Sequence, residues 1–195
     1  SSKAAARDLS AAYERSGRLP PRESLLQHGT LSFFAADDYA AGLPQRGYAP
    51  TAVSLIEAHL DQLRPGDYFA LLAYVNERDD ELGSALQRLR HTVRDRYRVA
   101  TCFGYGPRYL HSTGQAHKGG PDTGVFLLIT RDSNQDLAIP GHRAGFATVE
   151  AAQAQGDFKV LAERGRRMLR VHLGGDALTD LLELQNMVDA AAGNH

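Results

Sequence analysis

The densest gathering of reactive side chains lies in one glycine-rich stretch, residues 104–124, GYGPRYLHSTGQAHKGGPDTG. His111 can take and give a proton near neutrality, because an unperturbed imidazole titrates at ~6.5. Ser112, Thr113 and Gln115 can orient that ring or bind ligand hydroxyls, and Lys118 adds a cation. The glycines allow backbone N–H groups to come close to an anion or a substrate. The set suits a small polar ligand. The same residues would equally make a polar loop that satisfies itself, and the residue types alone leave both readings open.

Other chemistries fit less well. A metal site could use His111, His117 and Asp122, but no carboxylates cluster with them and a glycine-rich loop without periodic structure makes a poor rigid cage. Cys102 falls in an apolar run, where a buried inert thiol is the default. Lys118-Gly119-Gly120 resembles half of a phosphate loop, yet no Gly-x-x-x-x-Gly-Lys-Ser/Thr occurs. Arg164, Arg166, Arg167 and Arg170 form a basic run that reads as a solvated helix end. His59, His91 and His172 fall on expected elements and read as structural or surface residues, while His142 lies in a Pro-Gly-His-Arg loop and is a weak candidate.

The elements that must position the stretch are legible from periodicity. Residues 4–17 are rich in helix formers, and Gly17 with Pro20-Pro21 ends that lead-in helix. Residues 29–34 suggest a short strand. Val53, Ile56, Leu60 and Leu63 share one face of a helix over 51–63, which the turn Arg64-Pro65-Gly66-Asp67 stops. YFALLAYV (68–75) is a continuous apolar run of the length of a buried parallel strand. A long amphipathic helix follows over 79–98, then strands at 99–105 and 124–130. The order closes with a helix over 146–165, jogged at Gly156-Asp157, a strand at 168–173 and a helix over 176–192. Such alternation predicts a three-layer α/β/α sandwich with a mostly parallel sheet. The reactive stretch then follows a buried strand, and open parallel sheets bind ligands outside the carboxyl ends of their strands.

A chain of 195 residues suits one domain, 1–195, with its main body at 51–192. Apolar residues make up 43% and charged residues 23%, ordinary for a folded chain. With 22 basic and 23 acidic residues, no global field draws it to nucleic acid or an anionic membrane. One cysteine, no leader pattern and no apolar run near ~20 residues point to a reducing, cytoplasmic setting without a membrane span. The start Ser1-Ser2-Lys3, without methionine, suggests an excised piece of a longer polypeptide.

Leu110-His111-Ser112-Thr113-Gly114-Gln115 resembles the Leu-His-Ser-x-Gly-Gln motif of bacterial glucose-6-phosphate isomerases. The longer run PRYLHSTGQAHKGGPDTGVFLLIT, with the later IPG and ATVEAAQAQGDFKVLAERGRRMLRVHL, is similar to the carboxy-terminal region of bifunctional transaldolase/glucose-6-phosphate isomerase fusion proteins. The resemblance implies a sugar-isomerase (SIS-type) fold and interconversion of glucose 6-phosphate and fructose 6-phosphate. It makes His111 the ring-opening proton carrier, with Ser112, Thr113, Gln115 and Lys118 as substrate-binding candidates. It also makes Lys3, ahead of the helix ending in SGRLP, the match to a catalytic lysine. No cofactor or metal is expected.

The family's Phe-Asp-Gln-Pro motif before the lysine, its Glu-Ser-x-Gly-Lys segment carrying the C1–C2 proton-transferring glutamate, and its serine/threonine-rich phosphate loop are missing. The expectation is therefore a part of an isomerase that is inactive alone, completed by the rest of the polypeptide and by a homodimer partner. The alternative is a sugar-phosphate-binding or oligomerisation module without catalysis.

Overall fold

The computed structural model describes residues 2–20, 23–43, 51–133 and 136–193. Its centre is a six-stranded sheet built from β1 (Leu26–His28), β2 (Leu31–Phe34), β3 (Tyr68–Tyr74), β4 (Ala100–Tyr105), β5 (Gly124–Arg131) and β6 (Arg167–Leu173), in the order β1-β2-β6-β5-β3-β4. The strands β4, β3, β5 and β6 run parallel, and the hairpin β1–β2 adds antiparallel to β6. The protein is a three-layer α/β/α sandwich with a mostly parallel sheet, as the alternation predicts.

The apolar run of β3 has two faces to fill. Phe69, Leu71 and Ala73 face one core with α3 (Ala52–Leu60), α4 (Asp80–Tyr97) and α7 (Ala177–Gly193). Ala70, Leu72 and Tyr74 face the other core with α6 (Phe146–Glu163). Helix α1 (Ser2–Ser16) packs along α6, and Glu14 near its end accepts from the Arg143 and Ala144 N–H groups just ahead of α6.

Local chemistry sets the helix ends. Thr51 and Ser54 form a reciprocal capping box on α3. Asp79 accepts the Leu82 N–H at the start of α4, and Asp80 and Glu81 favour its positive end. The expected jog at Gly156-Asp157 is absent: α6 is continuous, and both residues are buried within it. A short helix, α2 (Asp37–Gly42), and β1 are additions to the expected elements. Among the described residues no helix is long and apolar enough to cross a membrane.

Of the arginine run, Arg164 is exposed as its composition suggests, but the other three are not solvated. Arg166 and Arg170 are buried, and Arg167 is nearly so. The Arg167 guanidinium donates to the Gln62 carbonyl at 2.8 Å, the Asp67 carboxylate at 2.7 Å and the Asp122 carbonyl at 2.9 Å. Arg166 donates to the Lys118 and Gly120 carbonyls and pairs with Asp122. Together they tie the amino ends of β3, β5 and β6 to the chain arriving from residues 118–122.

Candidate functional site

From β3 the chain passes through α4 to β4 on one side, and from β5, the neighbour of β3 on the other side, it passes through α6 to β6 in the opposite direction. The carboxyl ends of β3 and β5 therefore flank a topological switch point, where the two connections diverge and leave a crevice. A cleft of about 1000 Å³ lies there. Tyr74 and Asn76 come from the end of β3, Thr130 from β5, Arg170 and His172 from β6, and Glu150 from α6. Tyr13 and Leu19, from α1 and the residues after it, border the opening.

The stretch after β4 is not structureless, as its lack of apolar period suggests. A 3₁₀ turn spans Arg108–His111 and a short helix, α5, spans Gly114–Gly119. The turn is pinned by Tyr109, which is 4% exposed. Its phenol donates to Asp157 Oδ2 at 2.7 Å, and the Tyr74 phenol donates to the same oxygen at 2.8 Å. Asp157 is fully buried, and its other oxygen accepts from Lys118 Nζ at 3.1 Å. Burial, followed by the neighbouring negative charge of Asp157, pushes the Tyr74 phenol far above its ordinary value. On Tyr109, burial, then Tyr74 and Asp157, act in the same direction. Both phenols remain protonated donors.

Close approach makes this possible. A Cβ on Gly104 would stand 2.7 Å from the Tyr109 Cβ, and one on Gly106 would stand within 2.6 Å of three carbons of the Tyr74 ring. Glycine at these two positions lets both tyrosines fold under the end of β4.

The expected site residues divide as follows. The backbone of His111 closes the 3₁₀ turn, and Lys3 lies in the first turn of α1. The side chains of Lys3, Leu110 and His111 lie outside the described residues. Lys3 is ten residues before Tyr13, so the helix rise puts it about 15 Å back along α1 from the cleft. Ser112, Thr113 and Gln115 are exposed on the turn and on α5, with the Ser112 hydroxyl directed to the Tyr109 carbonyl. Lys118 is committed to Asp157 instead of standing open to a ligand.

Of the residues weighed for metal, His117 stacks on Tyr68 and shares a 2.9 Å hydrogen bond with its hydroxyl through Nδ1, while Asp122 faces Arg166. Burial, then the Lys118 charge, hold His117 down to about 4. Cys102 is half-buried, and burial raises its thiol above the usual range. His142 is exposed beside Glu14.

Two cleft residues carry no sequence signal. Glu150 lies on a helix whose pattern marks only its buried face, and burial pushes its carboxyl up. Arg170 belongs to a run that reads as solvated, yet its guanidinium rests 3.9 Å above the Phe34 ring in the cleft wall. His172, expected to be structural or on the surface, shares a 3.1 Å hydrogen bond with Thr130 through Nδ1, and its Nε2 stands 3.6 Å from Asp132. Burial lowers its basicity, partly opposed by Asp132.

No family model and no curated protein matches the chain. Among solved structures it is similar to a hypothetical protein, TT0462, from Thermus thermophilus, with a TM-score of 0.58 and 16% sequence identity. The match covers 80% of this chain and 43% of that one, so the chain spans less than half the length of that protein. At this identity the likeness establishes the fold.

Proposed function

We propose that the chain is the carboxy-terminal part of an aldose–ketose isomerase acting on glucose 6-phosphate and fructose 6-phosphate, with His111 as the ring-opening proton carrier. The observation that carries this reading is the anchoring of the turn that ends in His111. Tyr109, two residues before it, and Lys118, seven after it, are both fixed to buried Asp157 at the carboxyl side of the sheet. A proton carrier works only if held within hydrogen-bond reach of the reacting oxygen, and a turn clamped on both flanks supplies that constraint.

In this reading Ser112, Thr113 and Gln115 bind substrate hydroxyls, and Lys118 holds the segment in place. The C1–C2 proton transfer belongs to a carboxylate elsewhere in the polypeptide, and a second copy of the chain completes the site. Lys3 joins it from α1. A cytoplasmic setting agrees with the single cysteine.

The test is His111→Ala in the natural gene product, assayed with cyclic glucose 6-phosphate and with a substrate locked in open-chain form. Loss of general acid–base help costs about 10²-fold or more on the cyclic substrate and far less on the open one. Equal losses on both would remove the ring-opening role. Binding of a hexose phosphate without turnover in that gene product would favour the binding-module alternative.

A further inference from the structure

The two edges of the sheet differ in kind. At one, β1 is three residues long and carries His28, whose Nε2 lies 3.2 Å from the Glu183 carboxylate. Brevity and that polar contact blunt this edge against pairing with another strand. At the other, β4 reads ATCFGY, with neither a charge nor a proline to protect it. The Gly106 N–H donates to the Ala73 carbonyl at 2.8 Å, and Ala73 lies opposite Tyr105 in the parallel register. Backbone direction alternates along a strand, so Cys102 and Gly104 bond toward β3, while Thr101, Phe103 and Tyr105 turn their N–H and C=O groups outward.

The same three residues turn their side chains to α4. Phe103 and Tyr105 are half-buried and meet edge to face, with ring centroids 4.7 Å apart. Thr101 accepts from the Arg90 guanidinium at 2.8 Å. α4 runs antiparallel to β4. Its first turn meets Tyr105, because a Cβ on Gly83 would stand 3.2 Å from the Tyr105 hydroxyl. Burial first, then the negative charges of Asp79 and Asp80, raise that phenol. Toward the other end of α4, Arg90 reaches Thr101, and Arg94, ion-paired at the surface with Asp95, continues the same side of the helix one turn further. Each chain thus carries an acidic group at the carboxyl end of its free edge and a basic one at the amino end.

We propose that β4 is the docking edge for a second copy of this chain, paired antiparallel about a two-fold axis at Phe103. In that register Thr101, Phe103 and Tyr105 exchange backbone hydrogen bonds with the same residues of the partner subunit in reverse order. The two Phe103 rings meet across the axis, and the Asp80 end of each α4 lies beside the Arg94 end of the other. This charge complementarity is what selects a second copy as the occupant. The isomerase reading calls for a second copy without assigning it a surface, and the edge pairing stands whether or not that reading does.

The test is analytical ultracentrifugation of the full chain, joined to amide hydrogen exchange at low and high protein concentration. The 21.2 kDa chain sediments as a dimer. Rising concentration slows exchange at Thr101, Phe103 and Tyr105, while Cys102 and Gly104, already in the ladder with β3, change less. Arg94→Glu raises the dimer Kd about tenfold, the worth of two symmetry-related exposed ion pairs lost together. Adding Asp80→Lys recovers most of that loss. Within one chain the two positions are about 21 Å apart along the helix, so recovery comes only from across the axis. If either variant does not fold, exchange in the unaltered chain decides alone. The proposal is overturned by a chain still monomeric at roughly 0.1 mM, by a dimer whose protection falls outside β4, or by an Arg94→Glu dimer that is either unweakened or not recovered by Asp80→Lys. A dimer formed through another surface would leave the isomerase reading standing.

Discussion

Tyr74 and Tyr109 donate their phenols to the same oxygen of Asp157, at 2.8 and 2.7 Å, across rings 6.2 Å apart and nearly perpendicular. One carboxylate therefore joins the end of β3, the turn after β4 and the middle of α6. Removing it leaves two buried phenols and the Lys118 ammonium without their acceptor. Asp157→Ala should cost about 3–5 kcal/mol, as for breaking a buried ion pair from one side. Asp157→Asn, which keeps an acceptor, should cost less. Urea unfolding followed by circular dichroism measures both. A loss under about 1 kcal/mol for Asp157→Ala would mean that the network does not hold the turn.

The glycines beneath those rings give a second expectation. Gly106→Ala presses a methyl group against the Tyr74 ring, and Gly104→Ala presses on Tyr109. Overpacking of this kind costs about 1–3 kcal/mol. Pairing Gly106→Ala with Tyr74→Leu should recover part of the packing loss, since the obstructing ring is gone. A double-mutant cycle showing strict additivity would contradict the contact.

Arg167 binds three segments with one planar fork. Burial pushes Asp67 up, yet the hydrogen bond and charge of Arg167, with the Arg64 N–H, leave its carboxyl below the ordinary value. Arg167→Met should destabilise by about 3 kcal/mol. Arg167→Lys should recover less than half of that, because an ammonium cannot span the Gln62, Asp67 and Asp122 oxygens together. Full recovery in Arg167→Lys would reduce the fork to a simple charge pair.

How much of this is legible in the sequence depends on where the information lies. The strands β3 and β5 are plain because both their faces are buried, which forces continuous apolar runs. β1 has three residues and one two-residue turn to its partner, too short for any period to register. The Gly156-Asp157 pair reads as a break because a helix interior disfavours both residues. Tyr74, Tyr109 and Lys118, distant in sequence, outweigh that preference. α5 is invisible for the same reason: its His117 and Lys118 are held by Tyr68 and Asp157, not by an apolar stripe. The arginines after α6 cannot be told from solvated ones, since their acceptors are mostly carbonyls, which every residue carries. The reactive loop after β4 is visible as a cluster of residue types, whereas the cleft is not, because its walls come from six separate elements, α1, β2, β3, β5, α6 and β6.

Among the described residues two histidines are buried, and they should set the acid limit of the fold. His59 is 1% exposed with Nδ1 2.8 Å from the Tyr39 hydroxyl, and burial holds it down to about 3. His117 is held to about 4. In the unfolded chain each protonates near ~6.5. Between that value and the folded one, the unfolded chain binds more protons, so stability falls as pH falls. The contribution is whole above pH ~6.5 and is lost progressively toward the folded values. Going from about pH 7 to about pH 4.5 should remove about 2 kcal/mol for each histidine. His59→Gln and His117→Gln lower stability at neutral pH but each should flatten the pH dependence by about that amount. Urea midpoints at several pH values provide the measurement. Variant curves running parallel to the parent would show that other groups set the acid limit.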